Sequence, residues 1–393
     1  MTDELLRYRA EFPILKNTTY MISNSLGAMP RGVYDSLHLY CDVWATRGVR
    51  AWEEKWWTMS REVGDEIGAI MNAPAGSVSV HQNVTLCQAV VASCFDFSGR
   101  RNKVVYSDMN FPSIMYFWEA QRSRGARVHM VRTEDGVYVP TERLLEAIDE
   151  ETLLVPISHV VFRSSYIKDV KAIIEKAHRV GAHVVLDAFQ SLGNVPLDVQ
   201  ALNVDFATGG TLKWLCGGPG TAYLYARPDL GATLEPKITG WFAHQNPFAF
   251  EIGPNKYGQP PYRFMQGTSN VPGYYAALPG LKIIREIGVE RIREKSKKMT
   301  ARLVELAGHR GWQVNAPRDP ERRGGTVAIS MPNSRSEAVC QELLRRNVLV
   351  DWRPQAGVRF SPHFYNTMEE IDQAIQTVDE ILSGMGVAAG AVR

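Results

Sequence analysis

Val184–Tyr225 reads VVLDAFQSLGNVPLDVQALNVDFATGGTLKWLCGGPGTAYLY. The apolar run Val184, Val185, Leu186 has the character of a buried parallel strand, and it ends in Asp187. Ligand sites in α/β sheets lie at the carboxyl ends of strands, so Asp187 stands where a ligand would bind. A second strand-like run follows. Lys213 then sits between Thr208-Gly209-Gly210-Thr211 and Gly217-Gly218-Pro219-Gly220. Glycines let the backbone approach a ligand closely. Two readings remain open from these residues alone. Asp187 caps a loop and Lys213 is a surface lysine, or the two serve pyridoxal phosphate. In the second case the lysine forms a Schiff base with the aldehyde and the aspartate keeps the pyridine nitrogen protonated.

Working outward, β-type runs at 78–81, 103–106, 128–131, 153–157, 183–187, 206–208 and 222–225 alternate with amphipathic stretches at 113–124, 141–148 and 170–180. Strand–helix alternation predicts a mostly parallel α/β sheet with both faces covered. After the Gly/Pro-rich zone 252–261 the pattern changes. Residues 272–306 read as helical, 324–331 and 348–352 as strands, 336–346 and 368–382 as helices, and 384–393 as a frayed end. This predicts a large unit at 31–270 and a small α+β unit at 271–393, joined by an N-terminal segment at 1–30.

Composition narrows the function classes. The chain has 393 residues and a formal net charge of +2, from 44 Lys+Arg against 42 Asp+Glu. No basic excess points to nucleic acid. No apolar run approaches the length of a membrane helix, and the first residues lack the apolar core of a signal peptide. The five cysteines are scattered without CxxC spacing, so neither a disulfide framework nor a metal site is expected. A reducing cytoplasm is the expected compartment.

The segment resembles the class V aminotransferase superfamily of fold-type I pyridoxal-phosphate enzymes, and kynureninase within it most of all. Kynureninases carry D-L-A-H-(A/S)-x-G-x-x-P, then D-F-A, then K-Y-L-N-(A/G)-G-P-G. Here stand Asp187-Ala-Phe-Gln190-Ser-Leu-Gly193, Pro196, Asp205-Phe-Ala207 and Lys213-Trp-Leu-Cys-Gly-Gly-Pro-Gly220. The resemblance implies the aspartate aminotransferase-like fold, with a mostly parallel sheet in the large domain and a small α+β domain. It implies pyridoxal 5'-phosphate as cofactor, an α-amino acid as substrate, and a homodimer with its site at the interface.

Further matches assign further residues. Asn24-Ser25-Leu26-Gly27 resembles a loop at the substrate mouth, which implies a substrate contact for Asn24. Val84 and Thr85 match a helix start whose amides and hydroxyl bind the cofactor phosphate; free N–H groups and the dipole suit an anion there. Phe111, in Asn-Phe-Pro-Ser, would stack on the pyridine ring. His159 lies in a run similar to one beside the cofactor. Trp241, in Gly-Trp-Phe-Ala-His, would donate its indole N–H to the phosphate, and Thr268 would reach the phosphate across the dimer. Gln190 would contact the cofactor's phenolic oxygen. Arg359 would grip the substrate carboxylate, a task suited to a planar bidentate donor.

Three positions depart from kynureninase. Leu212 replaces a tyrosine before the lysine, Gln190 replaces a histidine, and Ile114 replaces an aspartate. A desulfurase would need a nucleophilic cysteine on a loop before Arg359. Residues 348–357 contain none, and Cys340 lies in a helical pattern upstream. The implied reaction is kynureninase-like hydrolysis of a Cβ–Cγ bond with release of L-alanine. The alternative is another class V reaction, namely β-elimination, transamination or epimerisation.

Overall fold

The computed structural model describes residues 3–387. The tail residues 388–393, part of the stretch expected to fray, lie outside the described residues. In chain order the strands are β1 (Thr19–Tyr20), β2 (Val78–His81), β3 (Lys103–Ser107), β4 (Arg127–Val131), β5 (Thr152–Ser158), β6 (His183–Asp187), β7 (Phe206–Gly210), β8 (Ala222–Ala226), β9 (Gln313–Val314), β10 (Val327–Ser330), β11 (Val348–Leu349), β12 (Asp351–Arg353) and β13 (Gly357–Phe360).

Seven of them form one sheet in the order β2-β8-β7-β6-β5-β3-β4. Its neighbours are parallel except β8, which runs antiparallel to both β2 and β7. Every residue of β2, β7 and β8 is buried, as expected when helices cover both faces. The helix Val170–Arg179 shows how a cover is made. Val170, Ile173, Ile174 and Ala177 recur on one stripe and are buried, and its polar residues face water. Each large aliphatic side chain buried this way stabilises the fold by about 1.5–3 kcal/mol. Asp169 caps its start by accepting the Ala172 N–H at 3.1 Å.

Two local features shape the sheet's carboxyl edge. Pro156 lies inside β5 and has no N–H to donate, and the β3–β5 ladder shifts register and stops after Leu154. The Asn110 amide then donates to the Pro156 carbonyl at 2.8 Å. This bond anchors the turn that presents Phe111 where β3 and β5 part. On the other side, the helix Val84–Ser93 is fixed to β7 by a buried chain of bonds. Trp118 Nε1 donates to Gln88 Oε1 at 2.9 Å, and Gln88 Nε2 donates to Thr208 Oγ1 at 2.8 Å.

The remaining strands make a four-stranded antiparallel sheet, β12-β13-β10-β9, and a two-stranded parallel one, β1-β11. Met21 packs in the core that this sheet shares with Ile371, Ile375 and Val378 of the helix Met368–Gly384. β1 pairs Thr19 with Val348, so the N-terminal segment touches the C-terminal part.

The structure corrects several boundaries. Residues 272–306 form two helices, Val271–Ile287 and Val289–His309, separated at Gly288, where φ is 83°. The first of them buries Val271, Tyr274, Leu281 and Ile284 in the core of the large sheet. The expected strand 348–352 is two strands, because the chain changes sheets at Val350: β11 pairs with β1 and β12 with β13. The helices Gly32–Arg47 and Trp57–Ile70 and the strand β13 were not foreseen. No helix of the described residues is long and apolar enough to cross a membrane.

Candidate active site

A cavity of about 410 Å³ opens at the carboxyl edge of the large sheet. Val84, Thr85, Phe111, Asp187, Gln190 and Lys213 of the expected site line it, together with Ser158, Phe162, Phe189 and Leu212. These side chains come from four strand ends and one helix start, so tertiary structure assembles them from distant positions.

Asp187 ends β6 and is buried. Its Oδ1 accepts the Phe189 N–H at 3.0 Å, and its Oδ2 accepts from Ser158 Oγ at 3.3 Å. Burial raises its carboxyl above the usual range, and the Phe189 N–H and the Lys213 charge pull the other way. Lys213 follows β7. Its Nζ lies 4.2 Å from the Phe189 ring centroid and 5.4 Å from that of Phe111. Burial pushes its ammonium down to about 8, Asp187 and Asp351 oppose that, and Arg359 adds to it. A lysine poised this close to neutrality is a usable amine nucleophile.

Phe111 stands at the start of the helix Pro112–Ala120 with its ring edge-on to Phe162, centroids 5.2 Å apart. Opposite, Asn83 caps the helix Val84–Ser93 by accepting the Leu86 N–H at 3.0 Å. Val84 and Thr85 occupy its first turn, where N–H groups have no intrahelical acceptor. An anion is favoured there. Gly27 abuts the lysine loop. A Cβ at this position would lie 2.1 Å from the Lys213 carbonyl, and the Gly27 N–H donates to the Leu212 carbonyl at 2.7 Å. The mouth loop therefore packs directly on the lysine loop, and only glycine fits.

The residues fit pyridoxal phosphate on their own chemistry. A desolvated amine, a fully buried carboxylate at a strand end, an aromatic face and a helix N-terminus surround one apolar cavity. No group of three or more His, Cys, Asp or Glu that could hold a metal occurs among the described residues.

Five expected site residues are not on this cavity's wall. Arg359, on β13, is buried with its fork closed on Asp351: Nε to Oδ1 at 2.7 Å and Nη2 to Oδ2 at 2.5 Å. Nη1 donates to the Phe162 carbonyl at 2.6 Å, and Nη2 also reaches Ser25 Oγ at 3.4 Å. Burial by itself would raise the Asp351 carboxyl, but the Arg359 contacts hold it below the usual range. Asn24 is 1% exposed, with neither side-chain polar atom partnered. Its carbonyl accepts Gln190 Nε2 at 3.0 Å, and Gln190 Oε1 accepts Trp214 Nε1 at 3.1 Å. The Gln190 amide is thus bonded on both sides although it borders the cavity.

His159 is buried behind the wall, its Nδ1 unpartnered, and burial pushes its pKa down to about 4. Trp241 gives its indole N–H to the Pro247 carbonyl at 2.6 Å and lies in an exposed aromatic cluster with Trp57, Phe248 and Phe250. The indole N–H that the resemblance assigns to the phosphate is thus engaged by this carbonyl. Thr268 lines a separate cavity of about 250 Å³ with His81, Gln82 and Ser269. Gln82 borders both cavities.

Sequence reasoning missed Phe189 and Asp351. Phe189 had a signal, since an aromatic two residues after a strand-end Asp follows the chain into the site. Asp351 had none: it is matched to Arg359 only through the β12–β13 register.

Comparison with known proteins agrees with this geometry. The family model "Aminotransferase class-V" matches residues 19–374. An uncharacterized aminotransferase, YcbU, of Bacillus subtilis (strain 168) is 32% identical, over 95% of this chain and 96% of its own. A kynureninase of Bacillus cereus is 29% identical, over 97% of this chain and 92% of its own. Among solved structures, the apo cysteine desulfurase from Thermococcus onnurineus NA1 superposes with a TM-score of 0.86 at 22% identity, covering 98% of this chain and 99% of that one. A C-DES mutant with glycine covalently linked to its PLP cofactor superposes with a TM-score of 0.85 at 19% identity, covering 94% of this chain and 99% of that one. The last two show a shared fold, the fold-type I architecture of mostly parallel sheet and flanking helices. The chain belongs to the class-V aminotransferase family and is a pyridoxal 5'-phosphate-dependent enzyme.

Proposed function

We propose that this enzyme hydrolyses the Cβ–Cγ bond of an α-amino acid bearing a γ-keto aryl side chain and releases L-alanine, as a kynureninase does. The observation that carries this reading is the aromatic wall. Phe111 and Phe189 lie against Lys213, Phe162 lines the same cavity, and this apolar wall suits a flat aryl ketone. Likeness to kynureninases along most of the chain supports it.

When bound, the cofactor supplies an aldehyde that condenses with amines and a ring that draws electrons from the substrate's Cα. The chain's own residues do the rest. Lys213 anchors the aldehyde and, once displaced by the substrate amine, moves the proton at Cα. Asp187 would keep the ring nitrogen protonated, and Phe111 would cover the ring. Val84 and Thr85 would hold the phosphate, and Gln190 would border the phenolic oxygen. Arg359 takes the substrate carboxylate. Four N–H contacts already engage its fork. A guanidinium has five donors, so a bidentate grip requires one of these contacts to give way, and the 3.4 Å bond to Ser25 is the weakest. Water adds to the γ-carbonyl, the Cβ–Cγ bond breaks, the acyl side leaves as a carboxylate, and Cβ takes up a proton to complete L-alanine.

Further parts of the reading concern assembly. The exposed cluster of Trp241, Phe248 and Phe250 supports a homodimer in which Thr268 reaches a partner copy's phosphate. Residues 31–270 would form the cofactor unit. Residues 271–393 with 1–30 would form the small unit, and Val271–Ile287 would bridge them. Five free cysteines support a reducing, cytoplasmic setting.

Incubation of the cofactor-loaded enzyme with kynurenine tests the reaction. Anthranilate fluorescence is expected, and no product from kynurenine or 3-hydroxykynurenine would sink the reading. Leu212 favours a second reading. It places an aliphatic side chain beside Lys213 where kynureninases have a proton-donating tyrosine. An amine transfer to a 2-keto acid in the same assay, without anthranilate, would establish an aminotransferase instead.

A further inference from the structure

A second buried lysine, Lys168, has no role in the reading above. His159 donates its backbone N–H to the Asp187 carbonyl at 2.9 Å, and its own carbonyl accepts the Lys168 N–H at 2.9 Å. A bridge between Val160 and Ile167 folds this segment back on itself. Lys168 is thus two backbone hydrogen bonds from Asp187 along the edge that bears the site. Its residue is 4% exposed, and its ammonium has no hydrogen-bond partner among the described residues. A buried charge without a partner is strongly unfavourable unless nearby opposite charge offsets it.

The groups around it identify that charge. Asp187, at the end of β6, and Asp108, just after β3, both act on Lys168 to keep it protonated. Asp108 already has a local task, since its Oδ1 accepts the Thr133 N–H at 2.9 Å. His159 is held neutral, and the positive Arg293, on the helix Val289–His309, bears on the same pocket. Lys213 lines the cavity and Lys168 does not, and the charges of both lysines bear on Asp187.

We propose that Lys168 is a positioning residue that holds Asp187 as a carboxylate, so that Asp187 keeps the cofactor's ring nitrogen protonated. This rests on the assignment of Asp187 to that nitrogen. The electrostatic direction agrees: burial raises the Asp187 carboxyl, and the Lys168 charge lowers it. Burial pushes Lys168 itself down to about 7, against the pull of Asp187 and Asp108. Its charge is present below that pH and lost above it, and the support for the Asp187 anion is lost with it.

Pyridoxal phosphate labelled at the ring nitrogen, bound to the full chain and followed by NMR, reads this directly. In the wild type the nitrogen signal should step toward the unprotonated form as pH rises through about 7. K168M and K168Q should show the less protonated signal below the step, and no step. Either variant, melting like the wild type yet keeping the wild-type step, overturns the proposal. A wild-type signal that stays flat from about pH 6 to about pH 9 does the same, whether or not the variants fold. Carboxyl-labelled aspartate in the cofactor-free chain gives an independent reading. Asp187 should bind its proton about tenfold more tightly in K168M, and equal titration in K168M and wild type overturns the idea. That arm needs no cofactor. Failure of the cofactor assignment would show separately, as a wild type that forms no lysine-bound cofactor.

Discussion

Two acid–base pairs sit near the Lys213 cavity, and they are built in opposite ways. Asp187 and Lys213 influence each other's charge but make no direct bond: the acid takes its hydrogen bonds from Phe189 and Ser158, and the amine lies against two aromatic rings. Asp351 and Arg359 are closed on each other through two short bonds. An open pair lined by apolar surface leaves space and unspent electrostatic energy for a ligand. A closed, buried pair is self-sufficient, and removing one member strands the other. The first pair is therefore a site as it stands. The second becomes one only if a ligand competes for the arginine.

The largest test of this contrast is Lys213→Ala. It should abolish the visible absorption of lysine-bound cofactor and lower turnover by about 1000-fold, with little change in Tm, because no partner is stranded. Retention of that band in the variant would break the assignment. The opposite outcome is expected for Arg359→Met. Asp351 loses the partner that holds it ionised, so stability should fall by about 3 kcal/mol in denaturant unfolding. An Asp351→Leu, Arg359→Met double variant should recover most of that loss, and a double variant as unstable as the single one would show that the pair is not self-contained.

Two smaller effects sharpen the picture. The Lys213 ammonium sits near 8, so the cofactor-free chain should capture pyridoxal phosphate faster as pH rises, by about tenfold per unit below that value, and level off above it. Stopped-flow absorbance checks this, and a flat profile between about pH 6 and about pH 8 would place the amine elsewhere. Smallest of all, Trp241→Phe should leave cofactor affinity within about twofold, because its indole N–H is spent on Pro247. A tenfold loss would restore the phosphate contact that the resemblance implies.

How much was legible in advance follows from what each residue depends on. The seven strands of the large sheet were readable because buried parallel strands are short apolar runs between amphipathic helices. Asp187 and Lys213 were readable because strand-end position and neighbouring glycines are local properties. The break at Gly288 was hidden, since apolar residues continue on both sides of it. The sheet change at Val350 was hidden too, since both halves have β character and only their partners differ. Arg359 could be singled out from its motif, but its closure by Asp351 depends on register between two strands that the sequence leaves unaligned.

The amino-acid sequence by itself therefore determined the class of fold, the family, the lysine and the aspartate, because periodicity, turn residues and motif chemistry are written within a few positions of one another. Tertiary structure alone decided which charges are open and which are closed. It set Phe189 under the amine, buried Lys168 without a hydrogen-bond partner among the described residues, and turned the Trp241 indole toward Pro247. Those outcomes depend on burial and on contacts between distant segments, and burial is what sets the strength of a charge.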